Sequence, residues 1–162
     1  MPNFYSDVIV HDKRFHSKKR VSDPKLLEEA TRLAVEAIIA GALTLGIKLM
    51  IFETYRSQER QRALFSRGTT QLKEVGVHHY GLACDLVKDV KGNPSWAGDY
   101  SFLGKLAESH GLIWGGDWGL PGVRHSFVDN VHVQRCSLAD QERLFAGTWY
   151  PGDGYDPRGI GT

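Results

Sequence analysis

The stretch from His78 to Asp85 reads HHYGLACD. Two imidazoles precede a glycine, and a carboxylate follows inside the apolar run LACDLV, which has the content of a buried strand. Gly81 permits a turn that brings His78 back toward Asp85. On a strand, Asp85 shares a face with Ala83 and Val87, opposite Leu82, Cys84 and Leu86. The small Ala83 leaves room beside it. A carboxylate buried in such a run needs a partner, because an unpaired charge is costly away from water. The stretch is either a turn beside a strand or the first half of a metal site.

The second half stands near the end of the chain, in DNVHVQ at 129–134. A hydrolytic zinc site needs three protein ligands, an open position for water and a base beside that water. His78, Asp85 and His132 can supply the ligands, and His132 lies between two valines on an expected strand. A lone strand histidine is more often an ordinary core residue, so the two pieces carry weight only together. The spacing of Asp129 and His132 adds a constraint. Residues three apart on a straight strand face opposite ways. Both can serve one centre only if the chain bends, or if Asp129 belongs to the preceding loop. A carboxylate there suits a base that lies near a metal without binding it. The helical HExxH zinc signature is absent.

The remaining chain points to one α+β domain with a mostly antiparallel sheet carrying the site, flanked by helices. Its 162 residues suit a single core. Residues 1–22 lack a clear period and read as an irregular N-terminal arm, 23–147 as the folded domain, and 148–162 as a turn-rich, loosely held tail. A helix is expected from Asp23 and Pro24 to Gly46, a strand over IKLMIFETY, and a short helix from Ser57 to Gly68. NPSWAGD reads as a loop, and YSFLGKLAESHG as a helix closed by Gly111. LIW and SFVDNVHVQ read as strands, and SLADQERLFAG as a final helix capped by Ser137.

With 20 basic and 19 acidic side chains, nothing draws the chain globally to nucleic acid or to an anionic membrane. The one basic cluster, HDKRFHSKKR, reads as a solvated face. Cys84 and Cys136 form no CxxC pair, and Cys84 reads as a small core residue. Neither a signal-peptide pattern nor a run of membrane-spanning length appears. The expected protein is cytoplasmically made and monomeric, without stable membrane insertion.

Taken in order, the motifs resemble the M15 family of zinc peptidases. They are YRSQERQ at 55–61, H-x-x-G-x-A-x-D at His78, Gly81, Ala83 and Asp85, WGGDW at 114–118, and D-x-x-H at Asp129 and His132. The family includes D-Ala-D-Ala carboxypeptidases and phage L-alanyl-D-glutamate endopeptidases, and WGGDW looks most like the phage-lysin branch. The resemblance implies His78, Asp85 and His132 as ligands of one zinc ion and Asp129 as general base. It also implies Arg56 as the cation that steadies the scissile carbonyl or the developing oxyanion, a task suited to a guanidinium that stays charged.

The implied substrate is the peptidoglycan stem peptide, cut at the L-alanyl-D-glutamate bond. A D,D- or L,D-carboxypeptidase is the alternative within the class. A non-catalytic, zinc-containing wall-binding module is the alternative outside it, and such a module has no need of Asp129 or Arg56. For a chain without a signal peptide, a lysin reaching the wall through a membrane lesion is the expected setting. A two-histidine, one-carboxylate set also accepts other divalent ions.

Two departures from the family stand out. Gly76 occupies a place where the family usually has a hydroxyl, and Val133 follows the last histidine where phenylalanine is common. His79, if on a strand, points away from the centre and is a supporting or surface residue. Trp114, Asp117 and Trp118 either line the groove for an amine-bearing peptide or form a tight turn with tryptophan packing. Arg124 and His125 read as part of a solvated loop.

Overall fold

The computed structural model describes residues 2–68, 74–117 and 129–159. The elements run α1 (Phe4–Asp7), α2 (Glu29–Thr44), β1 (Leu49–Glu53), α3 (Gln58–Ser66), β2 (Ala83–Val90), β3 (Asn93–Ser95), α4 (Ser101–Ser109), β4 (Ile113–Trp114), β5 (His132–Gln134) and α5 (Gln141–Phe145). The sheet has five strands in the order β1-β2-β5-β4, with β3 paired to the end of β2, and every pairing is antiparallel. This is the α+β architecture expected from the sequence. No helix among the described residues is long and apolar enough to cross a membrane.

Helices α2 and α4 supply Val35, Ile38, Ala42, Leu103 and Ala107 to one core, which also holds Cys84, Leu86 and Val133 from the sheet. That face of β2 and β5 is therefore closed. Alternation along the strands sends Asp85 and His132 to the other face. Asp85 pairs directly with His132 on β5 and with Glu53 on β1. Three polar side chains thus form a row across three adjacent strands.

Several local expectations are altered by the fold. The helix expected from Pro24 begins instead with a separate 3-10 turn at Pro24–Leu26, capped by Asp23, and α2 starts five residues after Pro24 with Glu28 as its cap. Glu28 takes that place because its side chain accepts from Thr31 N at 3.0 Å. NPSWAGD, read as a loop, contributes β3. Lys91 and Gly92 both take positive φ, the conformation of a two-residue hairpin turn, and Pro94 is tolerated because β3 is a short edge strand.

The arm is structured. Ile9 is fully buried, Tyr55 Oη donates to the Phe15 carbonyl at 2.6 Å, and Thr54 N donates to the Val21 carbonyl at 2.7 Å. The tail, expected to be loose, is also held. Arg135 pairs with Glu28 at 2.9 Å and donates to the Gly152 carbonyl, while Tyr150 Oη donates to the Tyr80 carbonyl at 2.7 Å. A buried guanidinium needs several acceptors, and the tail provides them as main-chain carbonyls.

Gly81 closes the turn before β2 with φ of 75°. A Cβ there would lie 2.8 Å from Ile9 Cδ1 and 2.9 Å from the Leu26 carbonyl oxygen, whereas one at Gly46, with φ of 80°, would meet none of the described residues within 4 Å. Gly46→Ala should therefore cost about 1–2 kcal/mol, the left-handed penalty alone. Gly81→Ala should cost about 2–4 kcal/mol, since overpacking adds to that penalty. Denaturant unfolding midpoints of the two variants check the difference.

Candidate metal centre

His78 sits in a 3-10 turn, Val77–Tyr80, which Gly81 reverses into β2. The turn directs the His78 ring toward Asp85 and puts its Nδ1 2.7 Å from the carbonyl of the buried Thr54. A carbonyl only accepts, so Nδ1 carries the proton and the Nε2 lone pair faces inward. Nε2 is buried, with no hydrogen-bond partner among the described residues, 3.3 Å from Asp85 Oδ1. His132 approaches the same oxygen from β5, with Nδ1 at 3.2 Å, while its Nε2 lies 2.7 Å from Gln134 Oε1. The donor atoms of His78, Asp85 and His132 all fall within 4.8 Å of one another.

This geometry fits a metal ion. Lone pairs and a carboxylate oxygen converging in a buried space repel unless a cation lies among them. The edge of a tetrahedron with bonds of about 2.05 Å is about 3.3 Å, which matches the separations of Asp85 Oδ1 from the two ring nitrogens. The charges respond accordingly. Burial alone would raise the Asp85 carboxyl, but His78 and His132 outweigh it and hold it well below the usual range. Burial would push His132 down, yet the hydrogen bond and charge of Asp85 draw it up. A centre that attracts a proton in this way also attracts a divalent cation.

Asp129 resolves the spacing constraint. It precedes β5 in a turn in which His132 N donates to the Asp129 carbonyl at 3.3 Å, so it belongs to the loop and not to the strand. Burial and the negative charge of Asp85 raise its pKa, partly offset by His132 and His78. Arg56, just after β1, is clamped by three acceptors. Its Nη2 meets Glu53 Oε1 at 3.0 Å and Asp85 Oδ2 at 3.4 Å, and its Nη1 meets Gln61 Oε1 at 3.3 Å. Burial disfavours its charge, but Glu53 and Asp85 more than compensate, so the guanidinium stays ionised.

A family profile described as D-alanyl-D-alanine carboxypeptidase matches residues 70–135. The L-alanyl-D-glutamate peptidase of Listeria phage A118 is 30% identical over 124 residues, covering 74% of this chain and 42% of the phage protein. The chain thus spans less than half of that relative. The peptidoglycan L-alanyl-D-glutamate endopeptidase CwlK of Bacillus subtilis is 28% identical over 142 residues, covering 74% of this chain and 81% of CwlK. In fold, the chain matches the Serratia marcescens L-Ala D-Glu endopeptidase ChiX with a TM-score of 0.55 at 22% identity, covering 73% of this chain and 90% of ChiX. In sequence and in fold the chain is similar to peptidases of the M15 type.

The other candidates read from the motifs separate by place. Trp114 pairs in register with Val133, on the face opposite His132, and its ring packs on Gly104 of α4. Its Nε1 donates to the Asn130 carbonyl at 2.6 Å. Trp114 therefore packs against α4, on the face away from the centre. Asp117 is exposed at the end of the Gly115–Asp117 turn. Trp118, Arg124 and His125 lie outside the described residues.

His79 is neither on a strand nor on the surface. It is buried in the 3-10 turn, with Nε2 2.8 Å from Tyr5 Oη and Nδ1 3.2 Å from the Arg56 carbonyl. Cys84 faces the helices, and burial pushes its thiol well up, away from nucleophilic chemistry.

Two contributors are not evident from the motifs. Glu53 holds Arg56 and also pairs with Arg60, and the signal that could have found it is a lone acid in the apolar run LMIFE. Gly115 cradles Asp129: its carbonyl accepts from Asp129 N at 3.2 Å, and a Cβ on it would lie 2.2 Å from the Asp129 carbonyl oxygen. Gly115→Ala should therefore destabilise the domain by about 1–3 kcal/mol through forced displacement of this turn. Gly152→Ala, with nothing within 4 Å of the new Cβ, should change stability by less than about 0.5 kcal/mol. Equilibrium unfolding of both variants measures the contrast.

Proposed function

We propose that this protein is a zinc-dependent peptidase that hydrolyses an amide bond of the peptidoglycan stem peptide, at the L-alanyl-D-glutamate junction. The observation that carries the reading is the convergence of two imidazole lone pairs on one buried carboxylate, with a second, differently tuned carboxylate beside them. The choice of bond is supported by the names of the phage and Bacillus relatives.

His78, Asp85 and His132 hold the ion. When bound, zinc supplies a Lewis acid for the scissile carbonyl and lowers the pKa of a water to about 7. Asp129 takes the proton of the attacking water and returns it to the leaving amine. A base whose pKa is raised toward the working pH is better matched to that exchange. Arg56, held by Glu53, Gln61 and Asp85, keeps a positive charge close to the centre and stabilises the negative charge developing on the carbonyl oxygen. Asp117, with Trp118, is the remaining candidate for receiving the substrate's amine. All these residues come from one chain, so one copy can carry the whole centre, and the reading is of a monomer acting at the cell wall.

The alternative, a D-alanyl-D-alanine carboxypeptidase, is favoured by the description of the matching family profile. A digest of purified peptidoglycan with zinc-loaded protein, read by mass spectrometry, separates the readings. New amino-terminal glutamate is the expected product. Loss of terminal alanine alone moves the protein to the carboxypeptidase branch, and no product with zinc bound favours a wall-binding module.

Asp129→Asn should lower kcat by about 10²–10⁴-fold while zinc content, measured by elemental analysis, stays stoichiometric. His78→Ala and His132→Ala should each lose both zinc and activity. Chelation of the wild-type protein should abolish cleavage, and added zinc should restore it.

A further inference from the structure

An imidazole carries its proton on either nitrogen, and only one choice leaves the Nδ1 lone pair of His132 available to a cation. The surroundings of Gln134 make that choice. Gln134 lies two residues beyond His132 on β5 and is 1% exposed. Its amide nitrogen donates to the Cys136 carbonyl at 2.6 Å and to Gln141 Oε1 at 2.9 Å. The Cys136 carbonyl is main chain and can only accept, so the amide cannot be turned over without setting two acceptors against each other. Gln134 Oε1 is thereby aimed at His132 Nε2, 2.7 Å away, and that nitrogen must hold the proton. The lone pair is left on Nδ1, which faces Asp85 Oδ1 at 3.2 Å.

His78 is set the opposite way. Its Nδ1–H donates to the Thr54 carbonyl, which leaves the Nε2 lone pair for the centre. Each imidazole is thus set by a main-chain carbonyl, directly for His78 and through an intervening amide for His132. We propose that Gln134, braced by the Cys136 carbonyl and Gln141, is a positioning residue that selects the metal-binding tautomer of His132 and thereby sets the zinc affinity. The inference rests on the zinc reading given above and adds to it a residue that touches neither ion nor substrate.

The test uses the full chain. Zinc affinity is measured by competition with a chromophoric chelator for the wild type, Gln134→Met and Gln134→Glu, with folding monitored by circular dichroism. Gln134→Met keeps the volume and removes the acceptor, and should weaken zinc binding by about 10–100-fold. Gln134→Glu keeps an acceptor toward Nε2 but sets a carboxylate oxygen against the Cys136 carbonyl, so it should lose folding stability while the zinc affinity of the folded protein stays within a few-fold of wild type. A purely structural role would leave the zinc affinity of the folded protein unchanged in both variants.

Nitrogen-15 NMR of the metal-free wild-type protein, at a pH where the ring is neutral, provides a second readout that needs no variant. The proton of His132 should be found on Nε2. Finding it on Nδ1 overturns the proposal even if the variants fail to fold. Equal zinc affinity of folded wild type and Gln134→Met overturns the relay and leaves the zinc reading intact. Absence of zinc binding by the wild type overturns the zinc reading, and the relay with it.

Discussion

The pairing of Asp85 with His132 across β2 and β5 is the constraint on which the site depends. Directly opposed residues in an antiparallel pair project to the same face, so this register places a carboxylate beside an imidazole, both largely buried. A slip of one residue would send His132 into the helix-covered core and bring Val133 to the site. The helix layer guards against that slip. Cys84, Leu86 and Val133 are buried against residues of α2 and α4, and their burial would be lost together with the register. The same packing that stabilises the domain therefore fixes the chemistry of its other face.

Around that pair, the centre is assembled from turns whose shapes depend on glycine at two points. Gly81 bends the chain so that His78 returns over Asp85, and Gly115 lets the Asp129 turn come close enough to hydrogen-bond. Trp114 secures the second turn from the far side of the sheet through the Asn130 carbonyl. The N-terminal arm secures the first. Tyr5 meets His79, which meets the Arg56 carbonyl, and the Phe15 carbonyl accepts from Tyr55. A segment without chemistry of its own thus braces both residues that flank the centre.

Two aspartates of one type are driven in opposite directions by their neighbours. Asp85 is buried against two imidazoles and the Arg56 guanidinium, and its proton affinity falls. Asp129 is buried beside the negative Asp85, and its proton affinity rises. That divergence separates a group suited to binding a cation from one suited to exchanging a proton. Glu53, held between Arg56 and Arg60, keeps a second carboxylate from competing for the centre.

The sequence by itself determined the fold class, the helices after Ser57 and Tyr100, the principal strands and the cluster of His78, Asp85, Asp129 and His132. These were legible because hydrophobic period and motif spacing are local, and because a carboxylate inside LACDLV is conspicuous. It left open how Asp129 and His132 could come to one place, and on which face of the sheet Trp114 lies. The tertiary structure decided both, through the turn before β5 and the register of Trp114 with Val133. It alone decided the roles of Glu53, Gln134 and Gly115, and the ordering of the tail by Arg135. The physical reason is common to all of them. Which acceptor meets which donor depends on partners brought together by sheet register and turn geometry, and no period within one segment encodes that meeting.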